Sequence, residues 1–179
     1  PTRLVPKKDY ICVQSTKTYS STPMLNKQWD EDSLNEVINF LKDRYALVQL
    51  GTLEEPRLPN TIDQRNICIS DTANFLANAK FFTGQVGFLM HLARAVDTRS
   101  VIIYGGREKA WQSGYSCNEN LETSPSCSPC WQNNQCDYQR QCLTAISSQD
   151  LLSGVDRLEA RLSQDLEIDT ASLGDYSKN

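Results

Sequence analysis

Short apolar runs alternate along this chain with stretches whose apolar residues recur every three or four positions. Tyr10 to Gln14 (YICVQ) is a run of strand type. Leu34, Val37, Ile38 and Leu41 then share one helical face, and Ser33 with Glu36 three residues on makes a capping box. Tyr45 to Leu50 (YALVQL) is a second strand, closed by Gly51. After a turn-rich loop comes the short apolar piece Ile67-Cys68-Ile69, and Ser70 is placed to cap a helix carrying Ala73, Leu76, Ala77 and Ala79. Lys80 to Thr83 is a strand that stops at Gly84. Gly87 opens the next helix, with Leu89, Leu92, Ala93 and Val96 on one face. Ser100 to Tyr104 is a further strand, ended by Gly105-Gly106. Ser147 caps a last helix striped by Leu151, Leu152, Val155, Leu158 and Leu162.

The order is β-α-β-loop-α-β-α-β-loop-α. Strands alternating with helices predict an α/β fold, a Rossmann-like parallel sheet with helices on both faces. The strands are continuous apolar runs, which suits burial on both faces. The domain spans 10–163, with a polar linker at 1–9 and a frayed polar tail at 164–179. Residues 107–142 break the pattern. They are rich in Ser, Asn, Gln, Pro and Cys and hold no sustained period, so this insertion is functional, stapled or disordered.

At 179 residues the chain is long enough for one domain with a sizeable core. The net charge of -4, with no basic stripe, argues against nucleic acid as a partner. No apolar run reaches transmembrane length and no signal peptide is visible, which predicts a cytoplasmic protein. The first residue is Pro1 rather than Met, so the chain reads as a fragment. Seven cysteines is a high count, but the α/β pattern points to an intracellular enzyme fold rather than a disulfide scaffold.

Candidate chemistry gathers at three places. A strand delivering its end into a glycine loop and a helix N-terminus builds an anion site, where backbone N–H groups and the helix dipole meet a ligand. Gly84, Gln85 and Gly87 form that loop, and His91, the one histidine of the chain, lies a turn inside the helix. Glu54 and Glu55 follow the second strand, where an acidic residue commonly takes ribose hydroxyls; a solvated loop charge is the ordinary alternative. Lys17 and Lys27 share the first loop, where either could meet a phosphate. Cys127, Cys130, Cys136 and Cys142 have the spacing C-x2-C-x5-C-x5-C. Four thiolates so close can wrap one tetrahedral iron or zinc ion, which would supply folding energy to a loop poor in apolar residues. Two disulfides or free thiols remain open. The G-x-G-x-x-G fingerprint is missing, which argues against a nicotinamide dehydrogenase, and no nucleophile elbow, P-loop or H-E-x-x-H is present.

The segment Thr83-Gly-Gln-Val-Gly-Phe-Leu-Met-His-Leu-Ala-Arg-Ala95 resembles the Met-His-Leu-Ala signature of the heptosyltransferase family, glycosyltransferase family 9. Lys27-Gln28-Trp29 is similar to that family's Lys-x-Trp, and Cys127-Ser-Pro-Cys130-Trp131 with Cys136 and Cys142 resembles the cysteine tail of one branch. The resemblance implies the C-terminal, donor-binding lobe of a two-lobed GT-B enzyme. An N-terminal acceptor lobe, carrying the catalytic aspartate, is missing from this chain, so no catalytic residue is expected here. Lys27 would meet the donor phosphate, Glu54 or Glu55 the ribose, and Gly84 to His91 the diphosphate. The donor would be a nucleotide diphosphate sugar, ADP-heptose being one candidate, with no catalytic metal; the related autotransporter branch holds iron in such a cysteine cluster. Val86-Gly87-Phe88 stands where many members carry Asp-Ser-Gly or Asp-Thr-Gly. The alternative is a non-catalytic, degenerate Rossmann module assembled through a cysteine metal finger.

Overall fold

The computed structural model describes residues 9–17 and 24–174. The lead-in 1–8, most of the hydroxyl-rich loop at 18–23 and the last tail residues 175–179 lie outside the described residues. Six strands form one sheet: β1 (Tyr10–Gln14), β2 (Ala46–Leu50), β3 (Ile62–Asp63), β4 (Phe82–Gln85), β5 (Ser100–Ile103) and β6 (Glu119–Leu121). Six helices are described: α1 (Glu31–Leu41), α2 (Ile69–Ala77), α3 (Phe88–Ala95), α4 (Ala110–Ser113), α5 (Gln141–Thr144) and α6 (Ser148–Gly174). The strand order is β3-β2-β1-β4-β5-β6 and every neighbouring pair is parallel. This is the doubly wound order of dinucleotide-binding sheets, and its direction of winding reverses between β1 and β4.

Successive strand residues feed opposite cores. Ile11, Val13, Leu47, Val101 and Ile103 pack with Leu34, Val37 and Ile38 of α1 and Leu151, Val155 and Leu158 of α6. Tyr10, Cys12, Val48, Leu50 and Ile102 pack with Phe75 and Leu76 of α2 and Leu89, Met90 and Ala93 of α3. Each fully buried aliphatic side chain contributes roughly 1.5–3 kcal/mol of transfer energy. The α/β class, the parallel sheet and the helices on both faces are as the hydrophobic pattern predicts.

The differences are local and have physical reasons. Helix α1 starts before the expected capping box. Asp30 is its N-cap, accepting from the Ser33 N–H and the Ser33 hydroxyl, both at 2.8 Å. Glu36 instead accepts from the Ser148 hydroxyl at 2.6 Å, tying α1 to α6. Helix α2 has Cys68 rather than Ser70 at its N-cap. Strand β4 runs through Gly84 to Gln85. A Cβ at Gly84 would lie 2.5 Å from Phe82 Cζ, so this glycine serves strand packing and is not a loop residue. Strand β3 has no apolar run to announce it. The insertion at 107–142 contains α4 and β6 and runs into the start of α5, with β6 added in parallel to β5. Helix α6 continues to Gly174, well into the stretch read as a tail, and Asp165 on it pairs with Arg99.

Candidate functional site

The carboxyl ends of β1, β2 and β4 open onto a cavity of about 510 Å³ at the point where the winding reverses. Gln14 ends β1, Gly51 and Thr52 follow β2, and Val86, Gly87, Phe88 and Leu89 bring in the start of α3. Gly87 is the N-cap of α3, and among the described residues no side chain caps that helix. Its first N–H groups therefore keep their donor capacity at the cavity, on the positive end of the helix dipole. Ile69 and Phe88 give the cavity an apolar rim; they are 65% and 60% exposed, so their surface is free to meet a ligand.

Lys27 lines the same cavity from a 3-10 turn, Leu25–Lys27. Its Nζ lies 2.5 Å from Glu108 Oε1. Glu108 also accepts from the Ser113 hydroxyl at 2.9 Å and from Arg107 at 3.2 Å. Burial pushes the Glu108 carboxyl up, but the hydrogen bonds from Lys27 and Ser113, with the charges of Lys27 and Arg107, hold it below its ordinary value. Glu108 was not singled out by sequence, because it sits in the polar stretch after Gly106 where nothing marks one charge from another.

Glu55 is 4% exposed and lines the cavity. Its carboxylate folds over Gly51, where φ is +140° and a Cβ would lie 2.3 Å from Glu55 Oε2, so glycine is required there. Arg65 fixes this loop by donating to the Glu55 carbonyl at 2.5 Å and to both oxygens of Asp63 at 2.8 and 2.7 Å. Those bonds lower the Asp63 carboxyl to about 2.

The other expected site residues fall elsewhere. Glu54 is exposed and does not line the cavity. Gln85 is buried and acts as a pin: its Oε1 accepts from the Trp29 N–H at 2.9 Å, and its Nε2 donates to the carbonyls of Thr16 at 2.8 Å and Ser15 at 3.3 Å. His91 is exposed, with Nδ1 2.9 Å from the Tyr115 hydroxyl, and is not part of the lining. Lys17 pairs with Glu31 at the surface.

A second cavity, of about 520 Å³, is lined by Cys127, Cys130, Cys136 and Cys142 together with Gly106 and Arg107. None of the seven cysteines is joined to another in a disulfide. Burial raises the Cys142 thiol, and the other three cysteines of the cavity raise it further. The donor set suits a soft metal, and the four cysteines line one cavity. Yet among the described residues no three His, Cys, Asp or Glu side chains are gathered so as to hold an ion. Likewise among the described residues, no helix is long and apolar enough to cross a membrane.

The sheet order and the cavity at its switch point define a Rossmann-like lobe of the kind found in GT-B glycosyltransferases. Solved structures it is similar to include heptosyltransferases and a glycosyl transferase family 9 protein. The dodecameric iron-containing heptosyltransferase TibC, in complex with ADP-D-β-D-heptose, superposes with a TM-score of 0.72 at 20% identity, over 90% of this chain and 48% of that one; TibC comes from enterotoxigenic E. coli. The ADP-heptose LPS heptosyltransferase II of E. coli gives 0.66 at 15% identity, over 89% and 49%. A glycosyl transferase family 9 protein from Veillonella parvula gives 0.62 at 13%, over 86% and 47%. These likenesses establish the fold, and the chain spans about half the length of each structure. No family model matches the sequence, and a search of curated proteins finds no match.

Proposed function

We propose that this chain is the donor-binding lobe of a glycosyltransferase that moves a sugar from a nucleoside diphosphate to an acceptor hydroxyl. The observation that carries it is the switch-point cavity, which holds Lys27, Glu55 and the uncapped start of α3 together. The diphosphate sits at the N-terminus of α3 against Lys27, and Glu55 takes the ribose. The base lies along Ile69 and Phe88. As the acceptor oxygen bonds to the anomeric carbon and the bond to the β-phosphate breaks, charge builds on the departing diphosphate. Lys27 and the first N–H groups of α3 stabilise that charge. The solved complex of TibC with an ADP-heptose supports this class of donor, with heptose one candidate sugar. A second lobe, outside this chain, supplies the acceptor site and the base, so the chain alone does not turn over. The setting is cytoplasmic.

The four cysteines of the insertion hold one structural iron or zinc, toward which their thiols must close. Elemental analysis of the purified chain tests this; a metal-free protein carrying two disulfides by mass would end it.

The exposed Trp131 and Tyr138 beside the cysteine cavity favour a second reading, in which the lobe is a non-catalytic assembly module. Calorimetric titration with ADP, UDP, GDP and CDP separates the two. Saturable binding of one nucleotide supports the donor lobe and selects its base; a folded chain that binds none supports the module.

A further inference from the structure

One short turn serves both cavities. Lys27 lines the switch-point cavity, and its neighbour Asn26 lines the cysteine cavity. Asn26 is 3% exposed. Its N–H donates to the Asn133 carbonyl at 2.9 Å. Its side-chain amide donates to the carbonyls of Gln132 at 3.0 Å and Gln135 at 2.8 Å, and its Oδ1 accepts from Arg140 Nε at 3.1 Å. The preceding Leu25 N–H donates to Asn134 Oδ1 at 3.0 Å. Among the described residues, these long-range hydrogen bonds of Leu25 and Asn26 all end in the cysteine-bearing segment. On the other side the Asn26 carbonyl presses on Gly105, where a Cβ would lie 2.4 Å away.

A parallel link runs through Glu108. It holds Lys27, and it also holds Arg107, whose Nε donates to Asn133 Oδ1 at 2.9 Å and whose guanidinium stacks over the Trp131 ring at 5.6 Å. The cysteine segment therefore grips Lys27 twice, once through the backbone of its turn and once through its counter-ion.

We propose that Asn26 is a positioning residue for Lys27, and that through it the order of the cysteine segment is coupled to occupancy of the nucleotide cavity. The proposal rests on the assignment of that cavity to a nucleoside diphosphate. An ordered segment fixes the turn and so places the Lys27 ammonium before the ligand arrives. A ligand held by Lys27 in turn keeps the segment closed, because coupling between two sites is reciprocal.

The test needs no variant to begin. The protein as purified is placed in D2O, with and without the tightest binder among ADP, UDP, GDP and CDP, and backbone amide exchange is followed peptide by peptide by mass spectrometry. The nucleotide slows exchange of the amides over 130–141 by about fivefold or more, while those around Cys117, outside the cysteine cavity, keep their rate. Asn26→Asp retains an acceptor for Arg140 but cannot donate to Gln132 and Gln135. Both Asn26→Asp and Asn26→Ala abolish the protection and weaken nucleotide binding by roughly tenfold, a change of about 1.4 kcal/mol. Equal exchange rates over 130–141 in a wild-type chain that does bind nucleotide overturn the coupling and leave the donor assignment standing. A chain that binds none of the four nucleotides overturns the donor assignment, and the coupling falls with it.

Discussion

Lys27 and Glu108 form an ion pair 2.5 Å long at the wall of the switch-point cavity, with side chains only 17% and 11% exposed. Removing one partner of such a pair leaves the other buried without its main counter-charge, which costs more than losing both. Arg107 and Ser113 still touch Glu108 and soften the loss. Lys27→Ala is expected to lower stability in urea by roughly 1–3 kcal/mol. Adding Glu108→Gln should recover most of that, while nucleotide affinity stays low because the cation is gone. A double variant no more stable than Lys27→Ala would show that the buried carboxylate is not the source of the loss.

Gly87 offers a cleaner probe of the cavity. Its φ of 162° is extended backbone that any residue adopts, and a Cβ built there meets nothing within 4 Å. Gly87→Ala should therefore leave the melting temperature close to wild type. The added methyl enters the space at the start of α3, where the proposed donor site puts the diphosphate. Calorimetry should report a loss of about tenfold in nucleotide affinity, or roughly 1.4 kcal/mol. Unchanged affinity would move the diphosphate away from this helix end.

Much of the fold was legible because burial on two faces writes strands as continuous apolar runs, as in Tyr10–Gln14 and Ala46–Leu50. Strand β3 was not, since two residues that are partly exposed need no apolar signature. Of the expected site residues, Lys27, Glu55 and Gly87 do meet in one cavity. Gly84 and Gln85 have other tasks. Gly84 makes room for the Phe82 ring, and Gln85 pins Trp29 to the segment after β1. A glycine that relieves crowding inside a strand looks, in sequence, the same as one that opens a loop. Glu108 and Asn26 were illegible for a different reason. Their roles depend on contacts with residues far along the chain, such as Lys27 with Glu108 and Asn26 with Gln132 to Arg140.

Acid should loosen the loop that carries Glu55. The Asp63 carboxyl is lowered from 3.8 to about 2, chiefly by its hydrogen bond from Arg65. A depressed carboxyl stabilises the folded state fully above its unfolded value, and that contribution is lost as pH falls through the folded value. The window is therefore pH 4 down to about 2. Asp63→Asn is expected to cost roughly 1–2 kcal/mol at neutral pH and to flatten the fall of stability across that window. Urea titrations at several acidic pH values measure both. A variant whose acid limb matches wild type would assign the limb to other carboxylates.

His91 provides the opposite expectation. The Met-His-Leu-Ala segment draws attention to this histidine, yet its ring is exposed and meets the Tyr115 hydroxyl at 2.9 Å, edge-on to that ring at a centroid distance of 5.8 Å. Arg94 lies over the same tyrosine at 6.0 Å, so the three side chains form a small surface cluster on α3 and its neighbour loop. The cavity lining takes Phe88 and Leu89 from the first turn of α3 and passes over His91. His91→Gln keeps a hydrogen-bonding side chain for Tyr115 and should change stability by no more than about 0.5 kcal/mol. Nucleotide affinity should stay within about twofold of wild type, against the much larger loss expected for Lys27→Ala. A loss of tenfold or more from His91→Gln would put the imidazole on the ligand. It would mean that α3 rotates or the ring swings when the cavity is filled, and the diphosphate would then lie a turn further along the helix than Gly87 places it.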